Sequence, residues 1–429
     1  MIAFMTTRGD AFAATVAGGT DKTVADDVMG ATMAAPSAGG TIGATTTLRS
    51  TTRPAVLPRA GETGLVLDQT AERYATKKVL GAGGMGEVVL AEDRDIGRNV
   101  ALKYLSAGND ASALARFVDE IRIVGSLEHP NIVPIHDVGV DESSRYYFVM
   151  KHVEGETLEE IIDKLAAGDP NYLAKYTFTT RAEIFIALLR ALQFAHAKGY
   201  VHRDIKPANV MVGAYGEVML MDWGIAKRCK SPEEITEAVG KPEEDMTKSV
   251  RERLFTTRRG AMVGTPAYMS PEQARGEIEK IDERSDIYCA AVLFHELMTL
   301  RHYLGEPTNL NDLLKAIQEQ PPLEPQKYPS HPIQGPTPAE YIHFIYRGLQ
   351  KDPAERFQSV GDMIDRLQNT LDGKVLVQCP VTMTKRLTRE LGRFVDRHPM
   401  GSVNILFSSV LAVVALVAWT VYATLHMHG

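Results

Sequence analysis

The chain has 429 residues, 44% hydrophobic and 24% charged, with a formal net charge of −7. That length suits two or three domains, and the acidic balance offers no basic surface of the kind nucleic acid requires, so no nucleic-acid partner is expected. Cys229, Cys289 and Cys379 lie far apart with no C-x-x-C pair, which suggests neither a cysteine zinc site nor a disulfide framework and fits a reducing interior.

Residues 1–70 are rich in Ala, Gly and Thr and poor in large apolar side chains. Such a segment buries too little surface to offset its ordering entropy, so a disordered tail is expected. No continuous apolar core follows a basic start, and a signal peptide is not expected. Thr45, Thr46, Thr47, Thr51 and Thr52 read as solvated tail residues before they read as phosphorylation sites.

From residue 74 the pattern changes to strands. Residues 74–80 and 87–91 flank Gly81-Ala82-Gly83-Gly84-Met85-Gly86, and residues 99–105 make a third strand after a turn at 95–97. A G-x-G-x-x-G run alone is shared with dinucleotide-binding folds, where the glycines open a helix. Here Glu87-Val88-Val89-Leu90 continues as a strand, and Val100-Ala101-Leu102-Lys103 follows. Residues 112–127 have helical periodicity, with Leu114, Phe117, Ile121, Val124 and Leu127 on one face and Glu120 nine residues before His129-Pro130-Asn131-Ile132-Val133. Residues 145–150 read as an apolar strand. Residues 157–167 and 181–198 read as helices, separated by a small insertion beginning Gly168-Asp169-Pro170.

The second helix delivers the chain to His202-Arg203-Asp204-Ile205-Lys206-Pro207-Ala208-Asn209, followed by Asp222-Trp223-Gly224. Between them, residues 210–212 and 217–221 flank a turn at 213–216, a hairpin pattern that folds the two acids back towards each other. A long charged stretch, 227–259, includes Ser231-Pro232-Glu233-Glu234, a helix start with Ser as N-cap. It leads to Gly264-Thr265-Pro266-Ala267-Tyr268-Met269-Ser270-Pro271-Glu272. The remainder to about residue 371 reads as helical.

Residues 373–404 read as a basic linker carrying Lys385, Arg386, Arg389, Arg393 and Arg397. Residues 405–425 then carry no charge and at about 1.5 Å per residue span ~30 Å, the thickness of a bilayer core. Trp419 and Tyr422 sit towards the far end, where interface aromatics occur. The positive-inside rule keeps the basic cluster cytoplasmic, so a single-pass tail anchor is expected, with residues 426–429 outside and no sensor domain after it. A metal role for His426 and His428 is not favoured.

Taken together, these runs resemble eukaryotic-type serine/threonine protein kinases of the bacterial kind, over residues 74–371. The resemblance implies an α+β bilobal protein-kinase fold: a small antiparallel β lobe with one helix (74–150), a large mainly α-helical lobe (154–371), and an activation segment (222–272) with an insertion. It implies phosphoryl transfer from ATP with Mg²⁺ to Ser/Thr hydroxyls of protein substrates. ATP would be held by Leu80, Gly81, Ala82, Gly83, Gly84, Met85, Gly86, Val88, Ala101, Lys103, Met150, Val153 and Met211, with Met150 as gatekeeper. Lys103 would be oriented by Glu120, Asp204 would accept or orient the substrate hydroxyl proton, and Lys206 would neutralise the migrating phosphoryl. Asn209 and Asp222 would bind Mg²⁺. Asp286, in Ser285-Asp286-Ile287-Tyr288, would hold the catalytic loop, and Arg356 in Lys351-Asp352-Pro353-Ala354-Glu355-Arg356-Phe357 would pair with Glu272. Thr256 and Thr257 are the candidate phosphosites, with Arg203 as their partner and autophosphorylation between neighbours, as a homodimer, on one membrane.

The sequence departs from the pattern at Trp223 (usually Phe), Lys151 (usually an acid), Ala291 (usually Gly) and Ser270 (usually Ala). Lys206 and Thr265 argue against tyrosine specificity. The presence of Lys103, Asp204, Asn209 and Asp222 argues against a nucleotide-sensing scaffold, and the full activation segment argues against a small-molecule kinase.

Overall fold

The computed structural model describes residues 54–58, 65–83, 86–105, 111–228, 266–305, 307, 309–374 and 376–426. Pro54–Pro58 (β1) and Leu65–Glu72 (β2) pair antiparallel, Val56 opposite Leu67 and Leu57 opposite Val66. This corrects the expectation of a tail reaching residue 70. The apolar and β-branched residues of the two short runs pair across a hairpin, which is how such residues favour strands. Residues 1–53 of the expected tail lie outside the described residues.

Tyr74–Gly83 (β3), Gly86–Asp93 (β4), Arg98–Leu105 (β5), Ile135–Val140 (β6) and Tyr146–Lys151 (β7) form one antiparallel sheet in the order β3-β4-β5-β7-β6. The pairing sets which side chains share a face. Val88 lies opposite Lys103, Leu90 opposite Ala101, Ala101 opposite Met150, and Lys103 opposite Phe148. Alternation along each strand therefore gathers Val88, Ala101, Lys103, Phe148 and Met150 on one side. The intervening residues, Val89, Ala91, Val100, Leu102, Tyr104, Tyr147 and Val149, bury together with Tyr74 on the other.

The helix expected over 112–127 is Ala111–Ser126 (α1). Its buried side chains include Phe117, Glu120 and Val124, three to four residues apart and hence on one stripe. Phe117 lies 5.3 Å, centroid to centroid, from Phe148 of β7, which sets α1 on the sheet face that carries Lys103.

The chain then passes through Gly155–Thr157 (β8) into Leu158–Ala166 (α2), capped by a reciprocal Thr157–Glu160 box. The insertion forms Pro170–Lys175 (α3), and Phe178–Ala197 (α4) follows. Tyr200–Val201 (β9) leads to the expected hairpin, Val210–Gly213 (β10) and Val218–Leu220 (β11), which makes a three-stranded sheet with β8 in the order β11-β10-β8. Pro271–Arg275 (α5), Glu283–Thr299 (α6), Leu310–Glu319 (α7), Ala339–Gly348 (α8) and Val360–Leu371 (α9) complete the large lobe. Residues Ile287 to Phe294 of α6 are all fully buried, and Phe185 of α4 stacks on Phe294 at 4.3 Å. Arg356 makes a two-pronged bond to Glu272 at 2.8 and 3.0 Å, as the resemblance implied. Cys289 and Cys379 are free thiols.

The region read as a linker contains a helix, Pro380–Arg397 (α10), and the expected apolar span lies within a longer one, Pro399–His426 (α11). Among the described residues α11 is the helix long and apolar enough to cross a membrane, with a mean hydropathy of 2.2 over its candidate span and nothing in the protein burying it.

The departure at Ala291 has a local answer. A Cβ on Gly348 of α8 would lie 2.5 Å from the Ala291 Cβ, so the methyl added on α6 occupies the space opened by a glycine on α8. Gly348→Ala is expected to destabilise the large lobe by about 1–3 kcal/mol through overpacking. Adding Ala291→Gly should recover most of that loss in a urea denaturation series, whereas independent sites would give additive losses.

Candidate active site

Lys103 stands mid-strand in β5, flanked by two paired strands that hold its backbone. Its Nζ lies 2.6 Å from Glu120 Oε1 on α1 and 3.2 Å from Asp222 Oδ1 after β11. Burial works against the charged ammonium, yet Asp222 and Glu120 outweigh it and hold the Lys103 pKa above the ordinary lysine value. Burial likewise pushes the Asp222 carboxyl up, but Lys103 prevails and keeps it below the usual carboxylate range. Lys103 and Asp222 are therefore both charged at neutral pH. Side-chain exposure is 10% for Lys103, 6% for Glu120 and 36% for Asp222, so Asp222 is the member open to a ligand.

The loop after β9 carries Asp204, Lys206 and Asn209. Lys206 Nζ is 2.8 Å from Asp204 Oδ2, and the Asn209 side-chain amide donates to Asp204 Oδ2 (3.0 Å) and to the Asp204 carbonyl (2.8 Å). Those bonds use the Asn209 nitrogen and leave its Oδ1 as an acceptor. Met221 N–H donates to the Asn209 carbonyl at 2.9 Å, so Asn209 and Asp222 are tied at neighbouring points of one backbone ladder.

A loop this irregular needs anchors, because its backbone groups lack regular partners. Asp286, in the first turn of α6 and fully buried, accepts from the His202 N–H (2.8 Å) and the Arg203 N–H (2.9 Å). Burial pushes the Asp286 carboxyl up, but the His196 bond, the nearby imidazoles and these N–H groups hold it below the usual range. His202 Nδ1 accepts from the Asp204 N–H (3.2 Å), which leaves Nε2 to donate to the Met221 carbonyl (3.1 Å). A ring with its hydrogen on Nε2 satisfies both. Trp223 meets that imidazole edge-on at 4.5 Å and is itself buried, so tryptophan fills the position where phenylalanine is usual.

Arg203 and Asp222 both have left-handed backbone, at φ 71° and 57°. Non-glycine residues rarely adopt it, and such residues cluster at functional sites where the surroundings over-determine them.

Met150, Val153 and Met211 pack with Val133, Met219 and Met221 at the inner end of the cleft, and Ala101 is buried beside Met150 on the same sheet face. Val88 is half-buried, and Leu80 is exposed at the cleft mouth. Gly81, Ala82, Gly83 and Gly86 form the turn end of the β3–β4 hairpin. Gly84, Met85, Ser231 to Glu234, and Thr256 and Thr257 lie outside the described residues. Two residues not foreseen support the site. His196 on α4 bonds Asp286 at 2.8 Å, and Gln273 on α5 donates to the Arg203 carbonyl at 2.9 Å. Each acts across the fold, and only His196, a polar residue on an apolar helix face, left a trace in the sequence.

A family model described as a protein kinase domain matches residues 74–366. Similar curated proteins include a probable serine/threonine-protein kinase of Streptomyces coelicolor, 38% identical and covering 70% of this chain and 40% of the relative. The serine/threonine-protein kinase PknD of Protochlamydia amoebophila is 34% identical over 75% of this chain and 32% of its own length. PknB of Mycobacterium leprae, also a serine/threonine-protein kinase, is 33% identical over 68% of this chain and 42% of its own length. The chain thus spans less than half the length of these relatives.

The anchoring role of Asp286 is measurable without turnover. Asp286→Asn removes the charge from the two buried hydrogen bonds to the loop N–H groups and from the bond to His196, each worth about 1.5–3 kcal/mol when one partner is ionised. Amide exchange at residues 202–203 is expected to accelerate by roughly 10–100-fold, with β4 and β5 unchanged, when peptides are followed by hydrogen-exchange mass spectrometry.

Proposed function

The chain belongs to the protein kinase family, and from that premise we propose that it transfers the γ-phosphoryl group of ATP, with Mg²⁺, to serine and threonine hydroxyls of proteins. The observation that carries this is the Lys103–Glu120–Asp222 cluster, joined at 2.6 and 3.2 Å, facing Asp204 and Asn209 across one cleft. Phosphoryl transfer spreads negative charge over oxygens, so catalysis is mostly positioning and charge stabilisation. Lys103, fixed by Glu120, orients the α- and β-phosphates. Asp204, held by Lys206 and Asn209, orients the attacking hydroxyl and takes its proton. Lys206 stays near enough to offset charge on the transferred group. Asp222 and the Oδ1 of Asn209 are hard oxygen donors that would hold Mg²⁺, and the ion would supply positive charge against the phosphates. The sheet face of Val88, Ala101 and Met150, with Val153 and Met211, receives the adenine ring. The serine/threonine choice rests on Lys206 and on the printed names of the relatives.

On the same reading α11 anchors the protein in a cell membrane, with the kinase domain cytoplasmic beside the basic α10. Neighbours on that membrane phosphorylate one another at Thr256 or Thr257, and Arg203 receives the phosphate through charge-assisted hydrogen bonds.

Full-length protein in detergent with Mg-ATP and a generic protein substrate should label serine and threonine and leave tyrosine unlabelled. Asp204→Asn and Lys103→Met should each reduce incorporation by at least about 100-fold. Equal labelling by all three proteins would end the enzyme reading. Phosphosite maps of the active protein are expected to contain Thr256 or Thr257, and the Thr256→Ala/Thr257→Ala pair should slow substrate labelling. A map without either threonine removes that regulatory step.

A further inference from the structure

The helix α10 has two chemically opposite sides. At about 100° per residue, Met383, Phe394, Leu387, Leu391, Val395 and Val381 fall within an arc of about 160° that contains no charge. Lys385, Arg389, Arg393, Arg386 and Arg397 occupy the rest of the circumference, with Asp396 and Glu390 among them. The apolar arc faces outward: Leu387 is 63% exposed, Leu391 61% and Met383 58%. The basic side is engaged. Lys385 pairs with the buried Glu340 of α8 at 2.9 Å, and Arg393 donates to the Asp372 carbonyl after α9 at 2.9 Å. The helix therefore grips the large lobe by its cations and leaves its apolar stripe uncovered.

We propose that α10 is an interfacial helix, lying along an anionic lipid surface with its Met383–Leu387–Leu391–Phe394 stripe in the headgroup boundary and the large lobe held against that surface by its basic side. This rests on the membrane reading of α11. Two observations select lipid as the occupant. Only His398 separates α10 from α11, and its backbone (φ −132°, ψ 60°) leaves the helical region, so the end of α10 sits where the span begins, free to turn along the surface. Charge points the same way. Within a chain of net −7, α10 carries five cations and two acids, five less two giving +3. A cationic helix with an uncharged apolar stripe is the pattern that binds anionic interfaces. Long basic side chains at the edges of the stripe, such as Arg386 and Arg397, reach the phosphates while their stems stay in the boundary.

The lobe contacts turn this into an orientation device. Lipid contact along α10 fixes the helix, and Lys385–Glu340 and Arg393–Asp372 pass that orientation to α8 and α9. The cleft then keeps a set height and direction relative to the membrane.

The test uses the full-length chain reconstituted in phosphatidylcholine vesicles with and without phosphatidylglycerol. Single spin labels are placed through Leu387→Cys, Leu391→Cys, Arg389→Cys and Val413→Cys, with Cys229 and Cys379 changed to Ser. Collision with oxygen, which concentrates in lipid, is compared with collision with a water-soluble nickel chelate. The expected result is oxygen preference at 387, 391 and 413 and nickel preference at 389, with the preference at 387 and 391 strengthened by phosphatidylglycerol. Nickel preference at 387 and 391 with oxygen preference at 413 overturns the interfacial helix and leaves the anchor standing. Shielding of 387 and 391 from both reagents overturns it as well, since a protein surface such as a second copy then covers the stripe. Nickel preference at 413 removes the membrane reading itself. These positions are exposed, so a label at any of them leaves the fold intact.

Discussion

One buried ammonium holds the catalytic architecture in register. Lys103 reaches Glu120 across 17 residues of sequence and Asp222 across 119. A charge this buried is tolerated only when it is paired and hydrogen-bonded. The sheet, α1 and the segment after β11 must therefore all stand in place together, because displacing any one strands a charge in a poorly solvated site. The charge count also explains what the cleft is built to accept. Lys103 and Lys206 face Glu120, Asp222 and Asp204, two cations against three carboxylates. Lys206 lies close enough to act on Asp222 electrostatically. The residual negative charge sits on the exposed side, at Asp222 and Asp204, where a divalent cation would neutralise it.

Most of this constellation was legible because its parts are local motifs with fixed spacing. The hairpin at 210–220, the β5 lysine and the register of Glu120 each follow from short runs whose side-chain period selects one face. The parts that were not legible depend on composition or on distant contacts. The β1–β2 hairpin sits in an Ala/Gly/Thr-rich stretch, and its apolar residues are too few to stand out before Val56 and Leu67 are seen paired. The α10 segment was read by its charge as a linker, although Met383, Leu387, Leu391 and Val395 recur every four residues. Gln273 carried no signal, since a glutamine one turn into a short helix is ordinary until its amide is found on the Arg203 carbonyl. Ala291 looked like a departure only because its complement, Gly348, lies 57 residues away, 348 less 291.

Backbone strain and hydrogen bonding are arranged together at the site. Arg203 and Asp222, the left-handed residues there, are each clamped on the strained peptide or beside it. Arg203 has its N–H on Asp286 and its carbonyl on Gln273. Asp222 follows Met221, whose N–H and carbonyl are taken by Asn209 and His202. Left-handed non-glycine residues cost of order 1–3 kcal/mol each, so they persist only under such restraint. The strain has a geometric return: it turns the chain sharply enough to aim Asp204 and Asp222 into the same cleft from two separate segments.

The restraint itself traces to the most buried element of the large lobe. Asp286 occupies the first turn of α6, where the helix N-terminus favours a carboxylate. One residue earlier, Ser285 donates to Glu272, which Arg356 holds from the far side. Further along, Ala291 meets Gly348, and Glu296 accepts from Tyr268 in the segment just before α5. A single helix thus touches the loop after β9, the start of α5, the α8 surface and the segment just before α5. Its core positions are close-packed and resist displacement. The placement of Asp204 is therefore inherited from a rigid element through two hydrogen bonds rather than set by the loop that carries it, and this is how an irregular loop can hold a side chain at a fixed position.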